Sequence, residues 1–339
     1  MLKIKNSKSL FTTPTHGGDY YIMHKFYQWY KNDISEVDAY NPQEALDKAE
    51  KYAAQVYKTK STHFLINGST SGIIAAVLTC CNKNDKLLIC ENAHPCHKNA
   101  GKLAGAEVIE YKLPYNDDWG IQMPITAEIA CDYIKKYIPK AIIITSPTYE
   151  GMVVDVEPIK RLCDKYNVRL IVDEAHGALY PFSDNLPASA IPYADFTIQS
   201  LHKTAGGLNP TALLHCNSDL NPDCALKMIN TTSPSYPMLA SIEANIKFLN
   251  SKKGKRCIES LISDINYIKS KLSNLEFYGD DVTKILIKKS NMSGFELSNI
   301  LFNKYNIEDE RTNNKSTLLL TGIGTSKKKL NQLLKLRNL

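Results

Sequence analysis

The sequence predicts an α/β protein: a three-layer α/β/α large domain on a mostly parallel seven-stranded sheet, then a small C-terminal α+β domain. Three observations carry this. Short apolar runs alternate with helix-length stretches over the first 250 residues. Two of these runs, "AIIIT" (141–145) and "RLIVD" (placed at 168–172 plus Asp173), are apolar without alternation, so those strands must be covered by helices on both faces. Beyond "TTSPSYPMLASIEANIKFLN", long helices and only two short strands follow.

The expected strands of the large domain are "HFLIN" (63–67), "KLLIC" (86–90), "EVIEY" (107–111), "AIIIT", "RLIVD", "FTIQS" (196–200) and "TALLH" (211–215). Between them lie amphipathic segments such as "VEPIKRLCDKYN" (156–167), whose Ile159, Leu162, Cys163 and Tyr166 share one helix face. The boundary is expected between Pro237 and Asn250, giving domains 1–245 and 246–339. "TKILIK" and "STLLLT" are the strands of the second domain.

The 339 residues are 43% hydrophobic with a formal net charge of +6, enough chain for a substantial core. Lysine runs such as 327–329 read as solvated helix faces. No basic-aromatic stripe suggests nucleic acid. The N-terminus lacks a signal-type apolar run, no window approaches a membrane span, and no repeat is visible. Nine cysteines without a secretion signal read as reduced thiols in the cytoplasm.

Ligands of parallel α/β sheets bind beyond the carboxyl ends of the strands. Four stretches fall there. "NGSTSG" (67–72) opens a helix with small and hydroxyl residues, suiting either a phosphate cradle or an ordinary cap by Ser69 or Ser71. "VDEAHG" (172–177) ends a buried strand in Asp173, a carboxylate that needs a cation or donors, with His176 close by. "SLHKT" (200–204) places Lys203 at a strand end, where burial frees an amine to form a Schiff base. Gly206 and Gly207 loosen the chain after it. "ENAHPCHK" (91–98) offers His94 and His97; together with Cys90 and Cys96 they match no paired-ligand zinc spacing.

Jointly these stretches ask for one ligand: a phosphate at Ser69 to Gly72, a ring nitrogen at Asp173, a flat ring beneath an imidazole, and an aldehyde for Lys203. Pyridoxal 5′-phosphate has all four.

The chain here resembles the major domain of the ornithine/lysine/arginine decarboxylases of PLP fold type I. The matching stretches are "TPTHGGD" (13–19), "FLINGSTSG" (64–72), "SPTYEGMVVDV" (146–156), "VDEAHGAL" (172–179), "SLHKT" and "TTSPSY" (231–236). The resemblance implies that Ser69, Thr70 and Ser71 hold the phosphate with Ser200 and His202, and that His94 stacks on the ring. It implies Asp173 on the ring nitrogen, His176 near the phenolic oxygen and Lys203 as cofactor carrier. It also implies a homodimer with shared sites, to which "PTHGG" and "TTSPSY" contribute from the partner.

Departures are local. His94-Pro95-Cys96 stands where family members usually have His-Lys-Ser, leaving His97 as a rival for the stacking role. Thr15 replaces a glycine, Asn209-Pro210 follows "HKT" in place of Thr-Gln, and the chain stops soon after the small domain. The expected function is decarboxylation of a basic amino acid in polyamine metabolism, the far end of the substrate being read by Glu310, with Asp38 and Glu150 as alternatives. The competing readings are another PLP-dependent reaction (transamination, elimination or aldol cleavage, with Arg311 as a carboxylate clamp) and a non-catalytic relative.

Overall fold

A computed structural model describes residues 9–11, 42–232 and 234–339. The "TPTHGGD" motif, Asp38 and Ser233 of "TTSPSY" lie outside the described residues.

The chain opens with β1 (Ser9–Leu10) and α1 (Pro42–Tyr57), then alternates: β2 (Ser61–Leu65), α2 (Gly68–Cys80), β3 (Lys86–Cys90), α3 (Pro95–Ala104) and β4 (Glu107–Tyr111). A small hairpin, β5 (Tyr115–Asn116) and β6 (Ile121–Gln122), precedes α4 (Ala127–Tyr137), β7 (Ala141–Thr145), α5 (Val156–Lys165) and β8 (Arg169–Asp173). After β9 (Phe196–Ser200), the single turn α6 (Leu201–Thr204), β10 (Ala212–Cys216) and α7 (Asp223–Ile229), two long helices follow, α8 (Tyr236–Leu249) and α9 (Lys252–Lys271). The remainder is β11 (Glu276–Tyr278), β12 (Lys284–Lys288), α10 (Gly294–Tyr305), β13 (Ile307–Glu308), β14 (Arg311–Thr312), β15 (Thr317–Leu320) and α11 (Lys327–Gln332).

The seven expected strands form one sheet in the order β2-β10-β9-β8-β7-β3-β4. All pairs from β9 to β4 are parallel, and β10 runs antiparallel to both its neighbours. Alternate residues of the apolar strands serve opposite faces. Ile143 and Ile171 pack with Ile73, Ala76 and Ala100 from α2 and α3. Ile142, Ile144, Leu170 and Val172 pack on the other side with Ile134 of α4 and Ile159 and Cys163 of α5. That two-sided burial is why these strands carry no polar alternation.

A four-stranded antiparallel sheet, β11-β12-β15-β14, makes up the C-terminal part. Both expected strands are in it, Lys284–Lys288 and Thr317–Leu320. β1 pairs in parallel with β13, and the Leu320 N–H donates to the Phe11 carbonyl. The expected boundary at 245/246 falls inside α8, whose Leu239, Ile242 and Ile246 share a core cluster with α1 and α9. Among the described residues no helix is long and apolar enough to cross a membrane.

Candidate active site

The strand order reverses between β7 and β3, and the crevice beyond their carboxyl ends is where such sheets bind ligands. A cavity of about 520 Å³ lies there, walled by Cys90 of β3, Tyr111 of β4, Thr145 of β7 and Asp173 of β8. Gly68, Ser69, Thr70, His94, His176, His202 and Lys203 open into it as well. Most of the residues singled out in the sequence therefore meet in one place.

At the phosphate-type turn, the helix starts one residue before the serines. Asn67 is the N-cap residue of α2 and makes no side-chain cap bond, so the cap by Ser69 or Ser71 is not formed. Gly68 turns with φ +74°, and its N–H donates to the Pro210 carbonyl. The first-turn N–H groups of a helix lack intrahelical acceptors and add positive potential where Ser69 and Thr70 line the cavity. Ser71 departs from the expectation. Its hydroxyl donates back to the Gly68 carbonyl at 2.8 Å, so it braces the turn instead of facing the cavity.

Asp173 is nearly buried, and its partner is His97. Nε2 of His97 lies 2.8 Å from Asp173 Oδ2, while Oδ1 accepts the Ala175 N–H at 3.1 Å. Burial opposes ionisation, but the His97 hydrogen bond and the nearby charges of His97 and Lys203 outweigh it and hold the carboxyl below its ordinary range. His97 thus belongs to Asp173, and of the two rivals it is His94 that lines the cavity. The Cys96 N–H donates to His94 Nδ1 at 3.3 Å, leaving Nε2 as the N–H end of a neutral ring. Burial keeps that ring below the ordinary histidine range. Cys90 Sγ is spent on Asn92 Oδ1, and among the described residues no group of three or more potential ligands could hold a metal.

Lys203 follows β9 on α6. Its Nζ lies 3.2 Å from His176 Nε2. Burial lowers the Lys203 ammonium below the usual lysine range, against the opposing pull of Asp173, Cys96 and Glu310. His176 is held well below the histidine range, first by burial and then by the positive charges of Lys203 and Lys284. His202 Nδ1 contacts the Thr211 carbonyl at 3.1 Å. Ser200 is fully buried and does not line the cavity, and its hydroxyl has no hydrogen-bond partner among the described residues.

Glu310 stands apart from the cavity wall, between β13 and β14. The Tyr149 hydroxyl, on a residue that does line the cavity, donates to Glu310 Oε1. Burial, then Glu310, holds that phenol well above its ordinary range. Glu150 also lines the cavity and is paired with Arg311 at 3.3 Å, and the Arg311 guanidinium lies 5.1 Å from the centre of the Tyr149 ring. Tyr149 and His97 are the site residues that sequence reasoning undervalued. Each was quoted inside a motif, but their contacts cross 161 and 76 residues of chain.

Residues 2–290 match the family model described as "Orn/Lys/Arg decarboxylase, major domain". The arginine decarboxylase of Bacillus anthracis is 28% identical over 88% of this chain and 64% of its own length. The constitutive lysine decarboxylase of Escherichia coli is 25% identical over 82% of this chain and 43% of its own. The solved structure of that lysine decarboxylase superposes with a TM-score of 0.78 at 20% identity, covering 93% of this chain and 55% of that one. A ureidoglycine–glyoxylate aminotransferase from Bacillus subtilis reaches 0.73 at 12% identity over 97% of this chain and 92% of its own. The architecture is therefore PLP fold type I, shared by decarboxylases and aminotransferases. Against both decarboxylases the chain spans less than two thirds of the relative's length. With the family model covering most of its length, the chain belongs to the Orn/Lys/Arg decarboxylase major-domain family.

Proposed function

We propose that this chain is a decarboxylase of a basic amino acid that works with pyridoxal 5′-phosphate carried on Lys203. The observation that carries the reading is the Lys203 amine, lowered by burial and opening into the same cavity as Asp173, His94 and the first turn of α2. The donors fit the cofactor. Two buried polar atoms, His176 Nδ1 and the hydroxyl of Ser200 three residues before Lys203, have no hydrogen-bond partner among the described residues and can serve it. When bound, pyridoxal 5′-phosphate supplies an aldehyde for the lysine and a conjugated ring that accepts electrons released at Cα.

The chain's own residues would divide the work. Ser69, Thr70, Ser200 and His202 hold the phosphate, with Ser71 bracing their turn. Asp173, kept ionised by His97, holds a proton on the ring nitrogen. His94 covers the ring face, and His176, kept neutral, donates or accepts at the phenolic oxygen without adding charge. Lys203 would carry the cofactor, and its amine is placed to move a proton at the substrate Cα. Treating the protein with the cofactor and then with borohydride should fix it on the peptide holding Lys203. An equal yield of that adduct from Lys203→Ala would overturn the assignment.

The basic substrate class rests on the relatives named arginine and lysine decarboxylase, on Glu150 at the Tyr149 side of the cavity, and on Glu310 hydrogen-bonded to Tyr149. Glu150 lines the cavity there, and Glu310, set back from the wall, accepts the hydroxyl of the cavity-lining Tyr149. A charge-assisted bond contributes about 1.5–3 kcal/mol. Glu310→Gln should therefore lower kcat/KM about tenfold to a hundredfold for lysine-, ornithine- or arginine-like substrates and leave neutral amino acids nearly untouched. Equal losses on both classes would remove Glu310 from this role.

The working unit is a homodimer with shared sites, to which the partner contributes "PTHGG" and "TTSPSY". Sedimentation should show a dimer or larger at assay concentration; an active monomer would contradict it.

A further inference from the structure

Lys284, the first residue of β12, is fully buried, yet a lysine at a strand start is ordinarily solvated. Its Nζ donates to the Tyr149 carbonyl and lies 5.2 Å from the centre of the Tyr149 ring. The stem is packed as closely as the head. Gly151, two residues after Tyr149, has φ +98°, and a Cβ there would come within 3.0 Å of Lys284 Cβ and Cδ. The loop from Tyr149 to Gly151 is thus laid directly over this side chain. Tyr149 in turn sets its ring edge-on to His176, with centroids 5.2 Å apart, and His176 Nε2 meets Lys203 Nζ at 3.2 Å.

A cation in such a place needs a reason, because burying it without an ion pair is costly. Asp281, whose charge acts on it, is committed to the Tyr180 hydroxyl and to Thr283. Glu150 is paired with Arg311, and Glu310 takes the Tyr149 hydroxyl. Lys203 adds a like charge. Burial, only partly offset by these carboxylates, pushes the Lys284 ammonium down to about 7. A methionine would fill the same space at no such cost, so core packing alone does not account for an amine here.

We propose that Lys284 is a positioning residue for the active site: it pins Tyr149 by its carbonyl and ring so that Tyr149 holds His176 against the amine of Lys203. The C-terminal sheet thereby sets the environment of a lysine carried by the large sheet. The inference deepens the reading above, since Lys203 is the residue acted upon, but its test needs neither cofactor nor substrate.

The test is competitive labelling of the purified full chain with acetic anhydride across pH, after hydroxylamine removes any bound carbonyl compound, with the Lys203 peptide quantified by mass. In the unaltered protein Lys203 should label with a midpoint below that of surface lysines. Lys284→Met keeps the volume and removes the donor. Freed, Tyr149 would admit water to Lys203, which favours its charged form and raises the Lys203 midpoint. Labelling at pH 8 should fall about threefold to tenfold, a midpoint rise of about half a unit to one unit. Tyr149→Ala, at a half-buried position, should shift it in the same direction, and the double variant no further than the larger single shift. Unchanged Lys203 profiles in both variants, or fully additive shifts, would overturn the proposal. If Lys284→Met does not fold, Tyr149→Ala decides: an unchanged profile there overturns it, and a raised midpoint sustains it. A protein that binds no pyridoxal phosphate but shows these shifts would sink the proposed reaction and leave this inference standing.

Discussion

Lys203→Ala should abolish turnover, with kcat/KM lower by about a thousandfold or more, while the fold persists. The size follows from the number of tasks proposed for one amine: holding the cofactor, yielding it to the substrate, and proton movement at Cα, the last alone worth about 100-fold to 10,000-fold. Structural loss should be small by comparison. Lys203 sits on a single helical turn, its amine opens into the cavity, and removing a buried group lowered by desolvation relieves a cost. Far-ultraviolet circular dichroism with turnover separates the two effects. A folded variant retaining a tenth of the activity would show that the chemistry lies elsewhere.

Asp173→Asn is the second large effect. Asparagine can still accept from the Ala175 N–H and meet His97, so shape and most contacts survive. The negative charge does not. Without it, a proton on the cofactor's ring nitrogen loses its counter-charge, and turnover should fall about 100-fold to 1,000-fold with cofactor bound about tenfold more weakly. The ionised carboxyl also implies a pH limit. Since its folded-state pKa is depressed, stability from the Asp173–His97 pair is present above the unfolded carboxyl pKa and is lost as pH falls through the folded value. Asp173→Asn should therefore flatten the acid limb of the stability curve. Turnover and an acid limb unchanged by the substitution would mean that the charge is dispensable.

The sheet was legible because its strands are apolar on both faces. "AIIIT" and "RLIVD" need no tertiary information to be read as central strands; the first was placed to the residue, and the second, read as 168–173, begins one residue later, at Arg169. Where a strand begins in polar residues the reading slipped: β2 starts at Ser61, whose register is set by pairing with Cys216 across the sheet. Strands of two or three residues, such as the hairpin of Tyr115–Asn116 and Ile121–Gln122 or the pair around Glu310, carry no period at all. They depend on partners far along the chain, as when Asn313 donates to the Trp119 and Gly120 carbonyls.

The site divides in the same way. Lys203, Asp173 and the turn at Ser69 were visible because each interrupts a local pattern at a strand end. His97 was visible only as a rival to His94, since its bond to Asp173 exists only once α3 lies against β8. Ser71 was misread because the helix starts at Gly68, which turns its hydroxyl inward. Lys284 gave no signal, because "TKILIK" reads as a strand with solvated ends, and its burial comes from the loop folded over it.

The central claim is tested most directly by supplying the purified protein with pyridoxal 5′-phosphate and carboxyl-labelled amino acids, basic and neutral, and measuring released CO2 with the organic product. The account predicts CO2 from a basic amino acid, an equal amount of the corresponding amine, and neither from Lys203→Ala. A cofactor-loaded protein that releases no CO2 from any of them, or yields a keto acid in its place, would contradict it.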